Sequence, residues 1–309
     1  MLYIITEGYE LDKKIFEPLL KKNDISIIFS TEQATFKSNL FRRLTKLLNL
    51  IGISCFFNFS KHFKVILKKI DRNDSILIWG TLSPLLIQLA KYVKTKKLNI
   101  WIWNPLFTFS EYTRSMIQIY KKYYKLWTFD ENDAQKYKIN YKPQVFYKQL
   151  LLPNEKTEIK YDLYFVGQDK NRYSILEYIE TEVGKELVCN FNLIKDKTST
   201  NIESKKFYVN FVSFDENIRN ISQSKALVDI LQTGQYGITL RTYEALVNKK
   251  KLVTNNTQIK KYPFYAKENI FILGEDEIST LKTFIKMPFN DFYDFSIYMI
   301  ENWITDFFQ

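Results

Sequence analysis

The sequence predicts an α/β fold made of two successive halves, each a parallel sheet covered by helices. Three observations predict it. Short apolar, β-branched runs alternate with longer stretches of helical periodicity; many of the runs end in polar or glycine-bearing pairs; and one polar, proline-started segment separates two such series. The 309 residues, 46% of them apolar, suffice for two medium domains with real cores. A disordered chain is thereby excluded.

In the first half, strands are expected at residues 2–6, 25–29, 75–79, 99–103 and 126–129, with helices at 11–22, 83–95 and 112–124 between them. Four of the strand ends are chemically suggestive: Glu7-Gly8, Gly80-Thr81, Asn104-Pro105 and Asp130-Glu131. In open parallel sheets the ligand crevice lies at the carboxyl ends of the strands, so Gly8, Asn104 and Asp130 are candidates to line it. Trp101 and Trp103 alternate along one strand and share a face, which suits core packing for at least one of them.

The run after residue 147 leads into Pro153, and the polar stretch 153–160 reads as a linker. Beyond it, strands are expected at 161–167, 186–190, 207–212, 226–230, 251–254 and 269–273, with helices at 172–183, 215–224 and 242–247. The first domain is therefore placed at 1–152 and the second at 161–288, both Rossmann-like.

Charge divides the same way. Residues 1–150 hold 25 Lys+Arg against 12 Asp+Glu, and residues 151–309 hold 20 against 22. Composition bias would act on both halves, so the asymmetry points to a basic face directed at phosphate-bearing partners or an anionic membrane. Residues 36–50 carry Leu40, Phe41, Leu44, Leu47 and Leu48 at helical spacing, with Lys37, Arg42, Arg43 and Lys46 elsewhere on the wheel. Such a helix can lie in a membrane interface, making Arg42, Arg43 and Lys46 candidate membrane contacts. The cluster Lys61, Lys64, Lys68 and Lys69 extends the pattern. Both segments also fit core-packing helices with solvated lysines. His62, among these cations, reads as a surface residue.

The N-terminus lacks the features of a secretory signal. The longest charge-free run has 16 residues, at 75–90, short of the roughly 20 needed to span a bilayer. Cys55 and Cys189 form neither a disulfide framework nor a metal-ligand pattern, which suits a reducing compartment.

The most informative stretch runs from Asp229 through Gly234 and Gly237 to Thr239-Leu240-Arg241-Thr242-Tyr243-Glu244-Ala245-Leu246, followed by Asn248 and the strand from Lys251. A strand ends in a glycine-containing loop that opens a helix. The helix N-terminus can receive phosphate, Arg241 can bind it bidentately, and Glu244 can accept ribose hydroxyls. The competing reading is a capped helix bearing an exposed Arg-Glu pair.

This stretch resembles the donor-binding segment of GT-B glycosyltransferases, especially the bacterial polysaccharide and CgeB-like branch. Tyr161-Asp162-Leu163-Tyr164-Phe165-Val166-Gly167, followed by Arg172, likewise resembles the start of that fold's C-terminal domain. The resemblance implies two Rossmann-like domains facing each other across a cleft, with a final helix within 289–309 packing back on the first. It implies a hexosyltransferase-like enzyme that moves a sugar from a nucleotide-sugar donor to a glycan or lipid-linked acceptor in lipopolysaccharide or capsule biosynthesis. Glu244 would bind the donor ribose, Arg172 and Arg241 its diphosphate, and Gly167, Gly237 and Thr239 would give close backbone or hydroxyl contacts. Asn248 stands where the family usually has glycine, and Asn tolerates the left-handed conformation expected there.

An inverting transferase needs a base near the acceptor hydroxyl. Glu7 is the first candidate, from its strand-end position, with Glu10 and Asp130 as alternatives. No Asp-x-Asp motif occurs, so neither a metal nor any cofactor is expected. The chain is expected in the cytoplasm, peripheral at the inner face of the membrane. No nucleic-acid motif occurs, and a nucleic-acid partner is not expected. The alternative is a non-catalytic basic protein that binds nucleic acid or an anionic membrane.

Overall fold

The structure, a computed structural model, describes residues 1–29, 61–80, 82, 83, 85–153, 157–199 and 206–308. The chain divides into two units, Met1–Lys148 with Ile297–Gln309, and Gln149–Ser296. Each contains one six-stranded parallel sheet.

The first sheet comprises β1 (Leu2–Thr6), β2 (Ile25–Phe29), β3 (Ser75–Trp79), β4 (Lys97–Ile102), β5 (Lys125–Thr128) and β6 (Asn140–Tyr141). β1 and β3 are buried along their whole length, which is why they read as uninterrupted apolar runs. Helices α1 (Glu10–Phe16), α2 (Lys61–Lys69), α3 (Leu85–Tyr92), α4 (Glu111–Ser115), α5 (Ile117–Tyr120) and α6 (Glu131–Tyr137) connect the strands. Along α2, Phe63 and Leu67 enter the core while Lys68 and Lys69 stay exposed. The strand order is β2-β1-β3-β4-β5-β6. The winding direction therefore reverses between β1 and β3.

The second sheet comprises β7 (Tyr161–Gln168), β8 (Cys189–Ile194), β9 (Tyr208–Val209), β10 (Ser224–Asp229), β11 (Lys251–Thr254) and β12 (Ile270–Ile272), in the order β12-β11-β10-β7-β8-β9. Helices α7 (Tyr173–Val183), α8 (Phe214–Ser222), α9 (Leu240–Val247) and α10 (Leu281–Lys286) accompany it. Numbered from β7 the order is 3-2-1-4-5-6, with its reversal between β7 and β10. Both units are thus doubly wound parallel sheets, each with a single reversal point, and the second has the 3-2-1-4-5-6 order.

The tail contributes α11 (Ile300–Trp303) to the first unit. Phe146 forms a parallel bridge with Met299, Phe146 N donating to Tyr298 O at 2.7 Å and Ile300 N to Phe146 O at 2.8 Å. Trp303 packs against Trp101 (ring centroids 4.7 Å) and Trp79 (5.8 Å), and its Nε1 donates to Pro143 O at 2.7 Å. Trp101 is thus a core residue, 0% exposed.

Several elements differ from the sequence expectation. The helix expected at 112–124 is two short helices that meet at Met116, the C-cap of α4 and the N-cap of α5. The strand expected at 186–190 runs three residues later, where Phe191 and Leu193 alternate with half-buried Asn190 and Asn192. Helix α6 was not expected; Asp130 begins it as a cap. Among the described residues no helix is long and apolar enough to cross a membrane. The expected basic helix at 36–50 lies outside the described residues.

Candidate functional site

The reversal point of the second sheet gathers four charged side chains. β10 ends at Asp229, which is 6% exposed. Its Oδ2 accepts from the hydroxyls of Thr239 (2.5 Å) and Thr242 (3.1 Å). Thr239 is also the N-cap of α9, accepting from Thr242 N at 3.4 Å. The strand end and the helix start are thereby joined through one hydroxyl.

In the first turn of α9, Arg241 Nη1 lies 2.5 Å from Glu244 Oε2, with side-chain exposures of 15% and 7%. Glu244 is buried and Arg241 partly so, which departs from the reading of an exposed Arg-Glu pair. Spacing of three residues puts both on one helical face. Asn217 of α8 serves as a hub: its Oδ1 accepts from Tyr164 OH (3.2 Å) and from Arg241 Nη1 (3.4 Å), and its side chain bonds Glu244.

Arg172 stands just before α7, on the other side of the reversal point. Its Nη1 donates to Gln168 O at 3.0 Å, its guanidinium lies 5.9 Å from the centre of the Phe165 ring, and its Nε is buried with no hydrogen-bond partner. Gly167 lies beside this pair: a Cβ there would stand 3.4 Å from the Phe165 ring and 3.7 Å from Arg172 Nη1, ordinary contact distances. Gly237 is buried in the loop leading to Thr239.

Burial dominates the electrostatics. It raises the Asp229 carboxyl, against the Thr239 hydrogen bond and the nearby Arg172 and Arg241 guanidiniums. It raises Glu244 as well, against Arg241, while Asp229 pushes in the same direction as burial. Arg172 is lowered by burial and by Arg241, with Asp229, Asp196 and Asp169 opposing. Two guanidiniums and two carboxylates are thus held with little water to screen them.

Asn248 departs from the expectation. Its φ is −88°, and the left-handed step falls on Lys249, at 54°. The amide serves another purpose: Nδ2 donates to Glu244 O and Leu150 O, both at 2.8 Å, and Oδ1 accepts from Leu152 N at 2.8 Å. Asn248 ties the end of α9 to the incoming chain, which glycine could not do.

A pocket lies in the first unit, at that sheet's own reversal point. It encloses about 480 Å³ among Glu7, Tyr9, Leu11, Asp12, Trp79, Gly80, Trp103 and Asn104. Asp12 shapes its floor: Oδ2 accepts from the Thr6 hydroxyl (2.5 Å) and from the backbone N–H of Gly8 and Tyr9 (both 3.1 Å). Gly8 turns there with φ 86°, a conformation that suits glycine. Asp12 is consumed by its own loop, while the Tyr9 hydroxyl bonds Glu7 and is itself raised by that contact. Asp130 is 1% exposed, accepts from Asn132 N and Asp133 N as the cap of α6, and does not line this pocket.

The structure therefore brings Arg172, Thr239, Arg241 and Glu244 into one neighbourhood, and Glu7 and Asn104 into another. Asp229 and Asn217 were not assigned from sequence. Asp229 carried a signal, as the acid ending a buried strand before a glycine loop. Asn217 carried none. Arg42, Arg43 and Lys46 lie outside the described residues. Among the described residues no group of three or more His, Cys, Asp or Glu is disposed to hold a metal ion.

No family model and no curated protein sequence matches this chain. Among solved structures it is similar to the DNA-modifying enzyme β-glucosyltransferase, studied with and without uridine diphosphoglucose, at 13% identity and TM-score 0.47, over 92% of this chain and 87% of that one. A T4 phage β-glucosyltransferase structure gives 13% identity and TM-score 0.46, over 92% and 87%. The GtfA/B complex bound to UDP and GlcNAc gives 11% identity and TM-score 0.31, over 80% and 52%. Likenesses with TM-scores below 0.5 carry neither activity nor substrate to this chain.

Proposed function

We propose that this protein is a GT-B glycosyltransferase whose second unit holds a nucleotide-sugar donor and whose first unit holds the acceptor. The observation that carries this reading is the group of buried Asp229 and Glu244 with partly buried Arg172 and Arg241 at the reversal point of a 3-2-1-4-5-6 parallel sheet, beside the start of α9. That place in an open α/β sheet is where nucleotides bind. The two guanidiniums match a diphosphate in charge and in fork geometry. Glu244, fixed by Arg241 and Asn217, supplies an acceptor for ribose hydroxyls.

In the proposed reaction the acceptor oxygen attacks the sugar's anomeric carbon and the bond from that carbon to the diphosphate oxygen breaks. The acceptor's proton passes to Glu7, and the negative charge gathering on the departing nucleoside diphosphate is met by Arg172 and Arg241. Binding at fixed positions supplies the remaining advantage by orientation.

The acceptor is proposed to be a glycan or a lipid-linked glycan in surface polysaccharide assembly such as lipopolysaccharide or capsule, reached at the inner face of the cytoplasmic membrane. What supports this is the excess of 25 Lys+Arg over 12 Asp+Glu in residues 1–150. Thermal-shift screening of UDP-, GDP-, CMP- and dTDP-linked sugars tests the donor site: one class should stabilise the wild type and not Glu244→Ala. No response from any class would overturn it. Flotation with anionic and neutral liposomes tests the membrane claim, with binding expected only to anionic vesicles and reduced by replacing Arg42 and Arg43. Salt-sensitive binding to duplex DNA without vesicle binding would move the acceptor to nucleic acid.

A further inference from the structure

The turn after β7 is anchored by a carboxylate that the proposed reaction does not use. Asp169 is fully buried, at 0% exposure, and its two oxygens accept four hydrogen bonds. Oδ1 takes the backbone N–H groups of Arg172 (3.1 Å) and Tyr173 (3.2 Å). Oδ2 takes the hydroxyls of Ser199 (2.8 Å) and Tyr208 (2.5 Å). These partners come from three places: the turn itself, the loop after β8, and β9.

The turn needs such an anchor. Lys170 and Asn171 have φ of 45° and 64°, the left-handed region that side-chain-bearing residues disfavour. No glycine relieves them. Instead Lys170 N donates to Asp196 Oδ2 (3.0 Å) and Asn171 N to Thr198 Oγ1 (3.1 Å). Asp196 Oδ1 accepts from Thr198 N (2.7 Å) and Thr198 Oγ1 (2.6 Å), and Asp196 N donates to the Ser199 hydroxyl at 3.1 Å. The same Ser199 hydroxyl donates to Asp169, closing the network.

The turn ends at Arg172. That side chain reaches back to Gln168 O and lies over the Phe165 ring, with Nε buried and unpartnered, so the direction of the guanidinium follows the conformation of the turn. Capping α7 would need only Oδ1 of Asp169. Burying the second oxygen against hydroxyls from other segments is worthwhile only if the turn must hold one conformation.

We propose that Asp169 is a positioning residue for Arg172: it locks the β7–α7 turn so that the guanidinium meets the donor's diphosphate already oriented. The proposal rests on the donor-site reading above. Pre-set orientation removes an ordering cost from binding, so its loss appears as weaker affinity.

A double-mutant cycle tests it, with UDP, GDP, CDP and ADP titrated calorimetrically into wild type, Asp169→Asn, Arg172→Ala and the double variant. Asp169→Asn should weaken the bound diphosphate about tenfold, roughly 1.4 kcal/mol, and raise KM for the nucleotide sugar more than it lowers kcat. In the Arg172→Ala background the same change should leave affinity unaltered while lowering the Tm as it does in wild type. Equal weakening in both backgrounds would make Asp169 purely structural and overturn the proposal. Tyr208→Phe and Ser199→Ala each remove one bond to Oδ2 while keeping the carboxylate, and carry the same cycle if Asp169→Asn does not fold. If the wild type binds none of the four diphosphates, the donor-site reading falls. If Arg172→Ala weakens binding and the folded Asp169 and Tyr208 variants do not, only the positioning role falls.

Discussion

Arg241 Nη1 and Glu244 Oε2 meet at 2.5 Å inside the second unit, one helical turn apart, with the side chain of Asn217 bonded to both. A buried pair of this kind is costly to break from one side only, because the remaining charge stays desolvated. Glu244→Ala is expected to destabilise the fold by about 3–5 kcal/mol, and the Arg241→Ala, Glu244→Ala double variant by less than the sum of its parts. Urea unfolding of the three variants measures both; additive losses would mean that the two side chains do not act as a pair.

The acid limb of the stability curve should carry the signature of Asp229. Its carboxyl is raised by burial, so between its unfolded and folded pKa values the folded state binds more protons than the unfolded one. Its contribution is complete below the unfolded pKa and is lost as pH rises through the folded value. The Tm of wild type relative to Asp229→Asn should therefore fall across that window. A difference that grows with pH contradicts this.

Glu7 is the base in the proposed transfer, and Glu7→Gln should lower kcat by about 10²- to 10⁴-fold with donor affinity unchanged. Asp12→Asn provides the contrast, since Asp12 bonds Thr6, Gly8 and Tyr9 and holds the loop. It should lower thermal stability along with turnover. If Glu7→Gln retains full turnover, the base lies elsewhere.

Because the proposed reaction meets the leaving diphosphate with Arg172 and Arg241, turnover should survive EDTA and fall sharply in Arg172→Ala. Assays with and without chelator, followed by Mn²⁺ or Mg²⁺ addition, check this. Activity lost on chelation and restored by metal would give the charge-neutralising role to a cation.

Trp303 should be the costliest truncation of the tail. It is 2% exposed, packs on Trp79 and Trp101, and donates to Pro143 O. Trp303→Ala is expected to cost about 3–5 kcal/mol, read by denaturant unfolding of the whole chain; a loss below about 1 kcal/mol would place the tail outside the core of the first unit.

The sequence by itself determined the sheets, because strands buried on both faces must be continuous apolar runs, and it determined the face shared by Arg241 and Glu244, because a helix of 3.6 residues per turn leaves no other arrangement. β1, β3 and β11, buried along their whole length, lie at the expected residues for the first reason. β8 did not, since its half-buried alternation with asparagines is a weaker pattern than the Val188-Cys189 pair beside it. Only the tertiary structure decided what surrounds those residues. It set Asn217 of α8 against Tyr164 of β7 and Arg241 of α9, moved the left-handed step from Asn248 to Lys249, and joined Asp169 to Tyr208 across 39 positions. Those choices depend on which distant groups can satisfy a buried donor or acceptor, and local spacing does not encode that.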